Sequence, residues 1–434
     1  MNPADFTVHT LGAATHDSPL LEYEKKGFRF TNDTERILLY PDLRHYRLCM
    51  QQQCDPLCFE KAGPRRRLYF NPLKLKSAIV TAGGLCPGLN DVIRSLVMEL
   101  HYRYHTGTIY GIRHGYKGLS KQGFSPVILE PELVENIHMH GGTILGSSRG
   151  YVDPEEIVDR LMSLRVSILF AIGGDGTLHG AQAIADIIAR RGLRIAVVGI
   201  PKTIDNDISF IEKTFGFETA FSLAVNVIRG AHVEAKGAIN GIGLVKLMGR
   251  HSGFVAASAA LAQNDANFVL VPEIPFDLTG PNGLLHHLDA RMRARHHAVI
   301  IVAEGAGQQL LPPTEQKDKS GNVKLADIGR YLMQEIKAYF SAKMEVNVKY
   351  FDPSYLIRSL PATASDSIFC ADLARMAVHA GMAGKTNMVV GRWNTVFTHV
   401  PIHLAISKRK HVDPQGNLWI NVLEATGQPP RMKN

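Results

Sequence analysis

Two short segments carry the residue types that phosphoryl chemistry needs: Gly173-Gly174-Asp175-Gly176-Thr177 and Pro201-Lys202-Thr203-Ile204-Asp205-Asn206-Asp207. Each follows a run of apolar, β-favouring residues, which predicts that both lie at strand ends. Backbone N–H groups between glycines suit phosphate oxygens, and the Asp175 carboxylate suits a magnesium ion. The second segment presents two carboxylates two residues apart. If Thr203 to Asp207 is extended, Thr203, Asp205 and Asp207 face one side and Asn206 the other. Phosphoryl transfer to a hydroxyl needs a carboxylate to take its proton, and Asp205 is the candidate base.

Five further segments add groups of the same kind. Thr81-Ala82-Gly83-Gly84-Leu85-Cys86-Pro87-Gly88-Leu89-Asn90 closes one apolar run and opens a helix near Asp91, so its N–H groups can meet an anion. Its spacing is neither the P-loop nor the dinucleotide fingerprint, and such turns are often only structural. Gly141 to Gly150 is a second glycine-rich stretch, and Arg149 near its end offers a planar fork for phosphate oxygens. Met248-Gly249-Arg250, Ala303-Glu304-Gly305 and Tyr355-Leu356-Ile357-Arg358 supply two arginines, a carboxylate and a phenol, with the first two at predicted strand ends.

The elements that must position these groups read as parallel α/β structure. Apolar runs at Ala78–Thr81, Ser167–Ile172 and Ile195–Ile200 end in glycine or proline, with amphipathic stretches between them. The pattern resumes at Ile242–Val245, Phe268–Val271 and Val299–Val302, which predicts a second sheet. Two lobes with a cleft at their strand ends are expected. The assigned organisation is an N-terminal extension over 1–72, a nucleotide-binding lobe over 73–216 with 357–408 returning to it, and a second lobe over 217–356 with the tail 409–434. The stretch from Gln308 to Asp327, with paired prolines and Ser320-Gly321-Asn322, reads as a long loop, either a lid or disordered.

At 434 residues, 45% apolar and 20% charged, the chain is long enough for two cores and has an ordinary globular composition. The net charge of +8 favours anionic ligands, and small polyanions satisfy it as well as nucleic acid does. Arg65-Arg66-Arg67, the Arg291, Arg293, Arg295 series and Lys408-Arg409-Lys410 lack interleaved aromatics and read as solvated faces, so no nucleic-acid partner is expected. Five cysteines suit a reducing compartment. Cys49, Cys54 and Cys58 with His45 lack paired zinc-knuckle spacing and read as structural thiols. The first residues do not resemble a secretory signal and no apolar stretch is long enough to cross a membrane, so a cytoplasmic location is expected.

These segments, in this order, resemble the 6-phosphofructokinase family from about Lys76 to about Arg409. Asp352-Pro353-Ser354-Tyr355-Leu356-Ile357-Arg358 and the N-terminal extension resemble the branch that groups certain ATP enzymes with pyrophosphate-dependent ones. The resemblance implies two similar Rossmann-like lobes with mostly parallel sheets, and transfer of a phosphoryl group to the 1-hydroxyl of fructose 6-phosphate in glycolysis. It implies donor contacts at Gly83, Arg149, Gly150, Gly174, Gly176 and Thr177, magnesium at Asp175, and a base at Asp205. Thr203, Ile204, Asp205, Met248, Gly249, Arg250, Glu304, Tyr355, Leu356, Ile357 and Arg358 would hold the sugar phosphate, with Arg250 and Thr203 also near the transferred group. Gly241 and Lys349 stand where better-known bacterial members use arginines that reach a neighbouring subunit. The family also implies allosteric control and a homo-oligomer, tetramer or dimer; docking of residues 1–72 onto a neighbouring subunit is a further expectation.

Donor choice turns on Gly176 and Lys202. Pyrophosphate enzymes of the family typically carry aspartate at the first position and lysine at the second, whereas other ATP enzymes carry glycine at both. An aspartate would crowd and repel the α-phosphate of ATP, so Gly176 predicts ATP as donor and pyrophosphate as the alternative. A nucleotide or lipid kinase shares the Gly-Gly-Asp-Gly-Thr signature but lacks the Thr-Ile-Asp-Asn-Asp and Met-Gly-Arg pair. A catalytically silent sugar-phosphate sensor or regulatory subunit would have no use for Asp205 as a base.

Overall fold

Aliphatic runs without polar alternation need burial on both faces, and the strands they form have it. The computed structural model describes residues 1–313, 316 and 323–434. Along the chain the main strands are β1 (Arg36–Leu38), β2 (Cys58–Lys61), β3 (Ser77–Thr81), β4 (Ile109–Ile112), β5 (Val127–Ile128), β6 (Ile168–Gly173), β7 (Ala196–Pro201), β8 (Gly241–Leu247), β9 (Phe268–Leu270), β10 (Ala298–Ala303), β11 (Asn347–Phe351), β12 (Met388–Trp393) and β13 (Val396–Pro401). The helices that matter most to the site are α1 (Leu89–Tyr102), α2 (Asp175–Arg190), α3 (Phe217–Gly237) and α4 (Ala364–Met382).

The backbone divides into two units, each with its own core. The first contains Met1–Thr203, Ile208–Gly216 and Ser359–Arg409; the second contains Ile204–Asp207, Phe217–Arg358 and Lys410–Asn434. In the first, a nine-stranded sheet runs β1-β2-β13-β12-β7-β6-β3-β4-β5. Its centre, β12 to β4, is parallel, and antiparallel strands close both edges. Every residue of β3, β6 and β7 is buried. Helix α2 lays Leu178, Ala181, Ile184, Ala185 and Ile188 into this core at helical spacing, and each large aliphatic side chain contributes about 2 kcal/mol. Helix α1 begins at Leu89 behind Gly88, whose φ of 92° suits glycine, and packs against α4.

Residues 1–72 are built into this same unit. Strands β1 and β2 extend the large sheet, and His9–Thr10 pairs antiparallel with Lys385–Thr386. Glu60 on β2 anchors the join, with Arg65, Lys385 and His399 each 3.0 Å from Oε1. The arginine triplet is therefore not a uniformly solvated face. Arg65 is only 5% exposed, while Arg66 and Arg67 pair with Glu24 and Asp17.

The second unit holds a four-stranded, wholly parallel sheet in the order β9-β10-β8-β11. Helix α3 approaches β8 closely: a Cβ at Gly241 would lie 2.2 Å from Ala235 O, and one at Gly243 2.6 Å from Ala231 O. Gly241 is thus a packing glycine, and an arginine there has no room to reach outward. The expected loop from Gln308 to Asp327 includes residues 314, 315 and 317–322, which lie outside the described residues. Its flanks are tied together, since Gln308 Nε2 donates to Glu304 O at 2.7 Å and to Ala326 O at 3.1 Å.

Candidate active site

The glycine-rich segments of the first unit converge at the ends of β3, β6 and β7. Gly83 N–H donates to Ser148 O at 3.2 Å, Ser147 Oγ to Gly83 O at 2.6 Å, and Thr81 Oγ1 to Gly146 O at 2.8 Å. The turn after β3 and the Gly141–Gly150 stretch are therefore one structure. A Cβ at Gly83, where φ is 89°, would lie 3.6 Å from Lys202 Nζ and 3.9 Å from Thr177 Oγ1. The Lys202 ammonium donates to Gly84 O at 2.6 Å, so it lies inside this cluster with little exposure. Gly150, with φ at 122°, and Arg149 stand at the exposed rim.

Gly174 is the cap of α2 and Asp175 its first residue, so the orphan N–H groups and the positive end of the helix dipole meet at this loop. Thr177 folds back on Gly173, where a Cβ would lie 2.1 Å from Thr177 Oγ1. Tyr116, absent from the expected site, donates its hydroxyl to Thr177 O at 2.9 Å. Burial pushes its phenol far above the ordinary range, so it stays a donor. Its only sequence trace is an aromatic in the Gly115–Leu119 turn.

Arg409 is the second addition. Its Nη2 lies 3.3 Å from Asp175 Oδ2, and His179 Nδ1 lies 3.5 Å from Oδ1. The basic triplet Lys408-Arg409-Lys410 thus turns one member onto a candidate metal ligand rather than into solvent.

A magnesium ion fits this setting. The Asp175 side chain is 31% exposed and a Cβ at Gly176 would meet nothing within 4 Å, so a carboxylate and open space are both present, although the Arg409 guanidinium competes for one oxygen. Among the described residues no three His, Cys, Asp or Glu side chains gather to cage a metal, the Cys49, Cys54, Cys58 and His45 group included. An ion at Asp175 would take its remaining ligands from phosphate and water, as magnesium does.

The segment after β7 departs from the extended geometry expected of it. Ile204 and Asp205 form a turn, and Asn206 has φ at 52°, a left-handed conformation that asparagine tolerates. Strict alternation of side chains is lost. Asn206 and Asp207 are buried, and Asp207 O accepts from Lys410 N–H at 2.8 Å, whereas Asp205 keeps partial exposure. The two carboxylates thus differ in exposure, Asp207 being buried and Asp205 half-buried with its Oδ1 turned inward. Ile204 is buried, and Thr203 O accepts from Thr214 Oγ1 at 2.7 Å.

Within the second unit, Ser252 Oγ donates to Asp205 O at 2.9 Å, which ties Asp205 to the Met248–Gly253 turn after β8. Gly305 N–H donates to Gly249 O at 3.1 Å, and a Cβ at Gly305 would lie 1.9 Å from Arg250 O. The ends of β8 and β10 can close only because both positions are glycine. Arg250 Nη1 donates to Val323 O at 2.6 Å. Burial pushes the Glu304 carboxyl up, against the pull of the nearby Arg250, Lys246 and Arg358 cations. Arg358 stacks over the Tyr355 ring at 4.7 Å, Tyr355 and Leu356 are exposed, and Ile357 is buried, so Ile357 presents only backbone.

The family model for phosphofructokinase matches residues 76–381. The chain is 49% identical to the ATP-dependent 6-phosphofructokinase of Borreliella burgdorferi over 99% of its own length and 98% of that relative. It belongs to the phosphofructokinase family. Other relatives in the family are the ATP-dependent 6-phosphofructokinases of Amycolatopsis methanolica, 47% identical with 98% and 95% of the two chains covered, and of Trypanosoma brucei brucei, 45% identical with 97% and 87% covered. Solved phosphofructokinases share the fold. The Pichia pastoris enzyme in the T-state superposes with a TM-score of 0.66 at 22% identity, covering 77% of this chain and 35% of that one. The pyrophosphate-dependent phosphofructokinase of Marinobacter aquaeolei gives 0.67 at 19% identity, covering 81% and 91%. Among the described residues no helix is long and apolar enough to cross a membrane.

Proposed function

We propose that the chain is an ATP-dependent 6-phosphofructokinase, moving the γ-phosphoryl group of MgATP to the 1-hydroxyl of fructose 6-phosphate. The observation that carries this reading is near-full-length identity of 45–49% to relatives of that name, in a chain with glycine at position 176. The donor's phosphates would lie on the N–H groups of Gly83, Gly174, Gly176 and Thr177, beside Arg149 and Gly150. Bound at Asp175, magnesium would neutralise charge between those phosphates. Asp205 takes the proton of the attacking hydroxyl, and the Ser252 bond to its carbonyl steadies the turn that presents it. Arg250 and Arg358 hold the sugar phosphate, with Arg250 also near the transferred group, and Glu304, with its carboxyl pushed up by burial, hydrogen-bonds sugar hydroxyls.

Lys202 is the feature that favours the second reading, a pyrophosphate donor, because it puts a cation inside the glycine cluster. Purified protein given fructose 6-phosphate with MgATP or with pyrophosphate as sole donor separates the two: turnover with pyrophosphate alone would refute ATP. Asp205→Asn is expected to lower kcat by about 10²-fold or more, and near-normal turnover would refute its role as base. A cytoplasmic homo-oligomer, dimer or tetramer, completes the reading; sizing by light scattering tests the assembly.

A further inference from the structure

Arg409 is laced to the chain that follows the candidate base. Its backbone bridges Ile208 antiparallel, and Ser209 Oγ donates to Lys408 O at 2.8 Å. From there its guanidinium reaches Asp175 Oδ2 at 3.3 Å across 234 residues of sequence. Both side chains are about one-third exposed, 33% and 31%, so the pair is neither locked in the core nor fully hydrated. The attraction is moderate and reversible.

We infer that Arg409 is a positioning residue that stands in for the metal: it neutralises Asp175 when a nucleotide arrives without its cation, and yields the carboxylate when the cation is present. This rests on the donor reading above. An ammonium or guanidinium on a carboxylate lowers that carboxylate's affinity for a second cation, and it removes repulsion toward a triphosphate. Both effects narrow the difference between metal-bound and metal-free nucleotide affinity. Removing the guanidinium must widen it.

The test is equilibrium binding of a non-hydrolysable ATP analogue, by calorimetry, with magnesium and then with excess chelator. Arg409→Gln is expected to widen the affinity ratio about twofold to fivefold, the effect of a partly solvated ion pair, while Arg409→Lys keeps it near the wild-type value. A purely structural role would change both affinities alike and leave the ratio fixed. An unchanged ratio in Arg409→Gln, in a protein where Asp175→Asn collapses it, overturns the inference while leaving the metal ligand in place. An unchanged ratio in Asp175→Asn refutes the metal assignment itself, and the inference with it.

Discussion

Gly176→Asp separates the architecture of the glycine-rich loop from its proposed chemistry. Gly176 is the second residue of α2, its backbone lies outside the left-handed region, and a Cβ there would meet nothing within 4 Å. The protein therefore has room for the side chain. An aspartate in the first helical turn also gains about 0.5 kcal/mol from the helix dipole and a similar amount over glycine's poor helix propensity. The fold should be unharmed or slightly stabilised. With the donor seated as proposed, a carboxylate about 5 Å from an α-phosphate charge, at an effective dielectric constant of about 20, would cost roughly 3 kcal/mol. That corresponds to a loss of about 10²-fold in kcat/KM for MgATP.

The assay is steady-state kinetics with MgATP varied at saturating fructose 6-phosphate, then the reverse, alongside a melting curve. The expected result is a drop of about 10²-fold in kcat/KM for MgATP, a sugar KM within about twofold, and an unchanged or slightly raised Tm. A loss below about threefold on the ATP side would refute the proximity of this position to the donor. Equal loss on both sides would refute the division of labour between the loops.

Acid sensitivity of the extension follows from Glu60. Burial acts to raise its carboxyl, but the hydrogen bond from His399 and the Lys385 ammonium outweigh it and hold the group at about 2. Its folded value lies below the ordinary 4.5, so the contribution, about 3 kcal/mol, is present above pH 4.5 and lost as pH falls toward 2. Burial lowers His399 as well, and its share is lost from pH 6.5 downward. Glu60→Gln should lower Tm at neutral pH by several degrees, and the gap from wild type should close on acidification; a gap independent of pH would show that the charge is not responsible. Tyr116→Phe removes the donor to Thr177 O, worth about 1–2 kcal/mol, and should raise the nucleotide KM several-fold with little change in the sugar KM. Gly241→Ala drives a methyl against Ala235 O, and a Tm loss of about 5 °C or more is expected; wild-type stability would contradict the close approach of α3 to β8.

Strands β3, β6, β7, β8, β9 and β10 fall within a residue or two of the apolar runs that predict them, because a strand buried on both faces must be apolar throughout. The glycine loops were legible for a related reason: at strand ends, glycine suits the positive φ of 89° at Gly83 and alone permits the close approach found at Gly305. The shape of Thr203–Asp207 was not legible, since a turn with Asn206 left-handed and an extended segment are both compatible with that composition. Nor was the packing role of Gly241, which depends on a helix carbonyl above it.

Local pattern alone determined the α/β class, the placement of glycine-rich turns after strands, and the choice of Asp175 and Asp205 as the candidate carboxylates. Those properties depend on neighbours along the chain, where periodicity and glycine spacing are directly written. Tertiary structure decided which charges meet. It brought Arg409 to Asp175, Tyr116 under Thr177 and Lys202 against Gly84, and it buried Arg65 while its neighbours stayed exposed. Long-range pairs of this kind depend on how sheets and helices stack, and no spacing in the sequence encodes that distance.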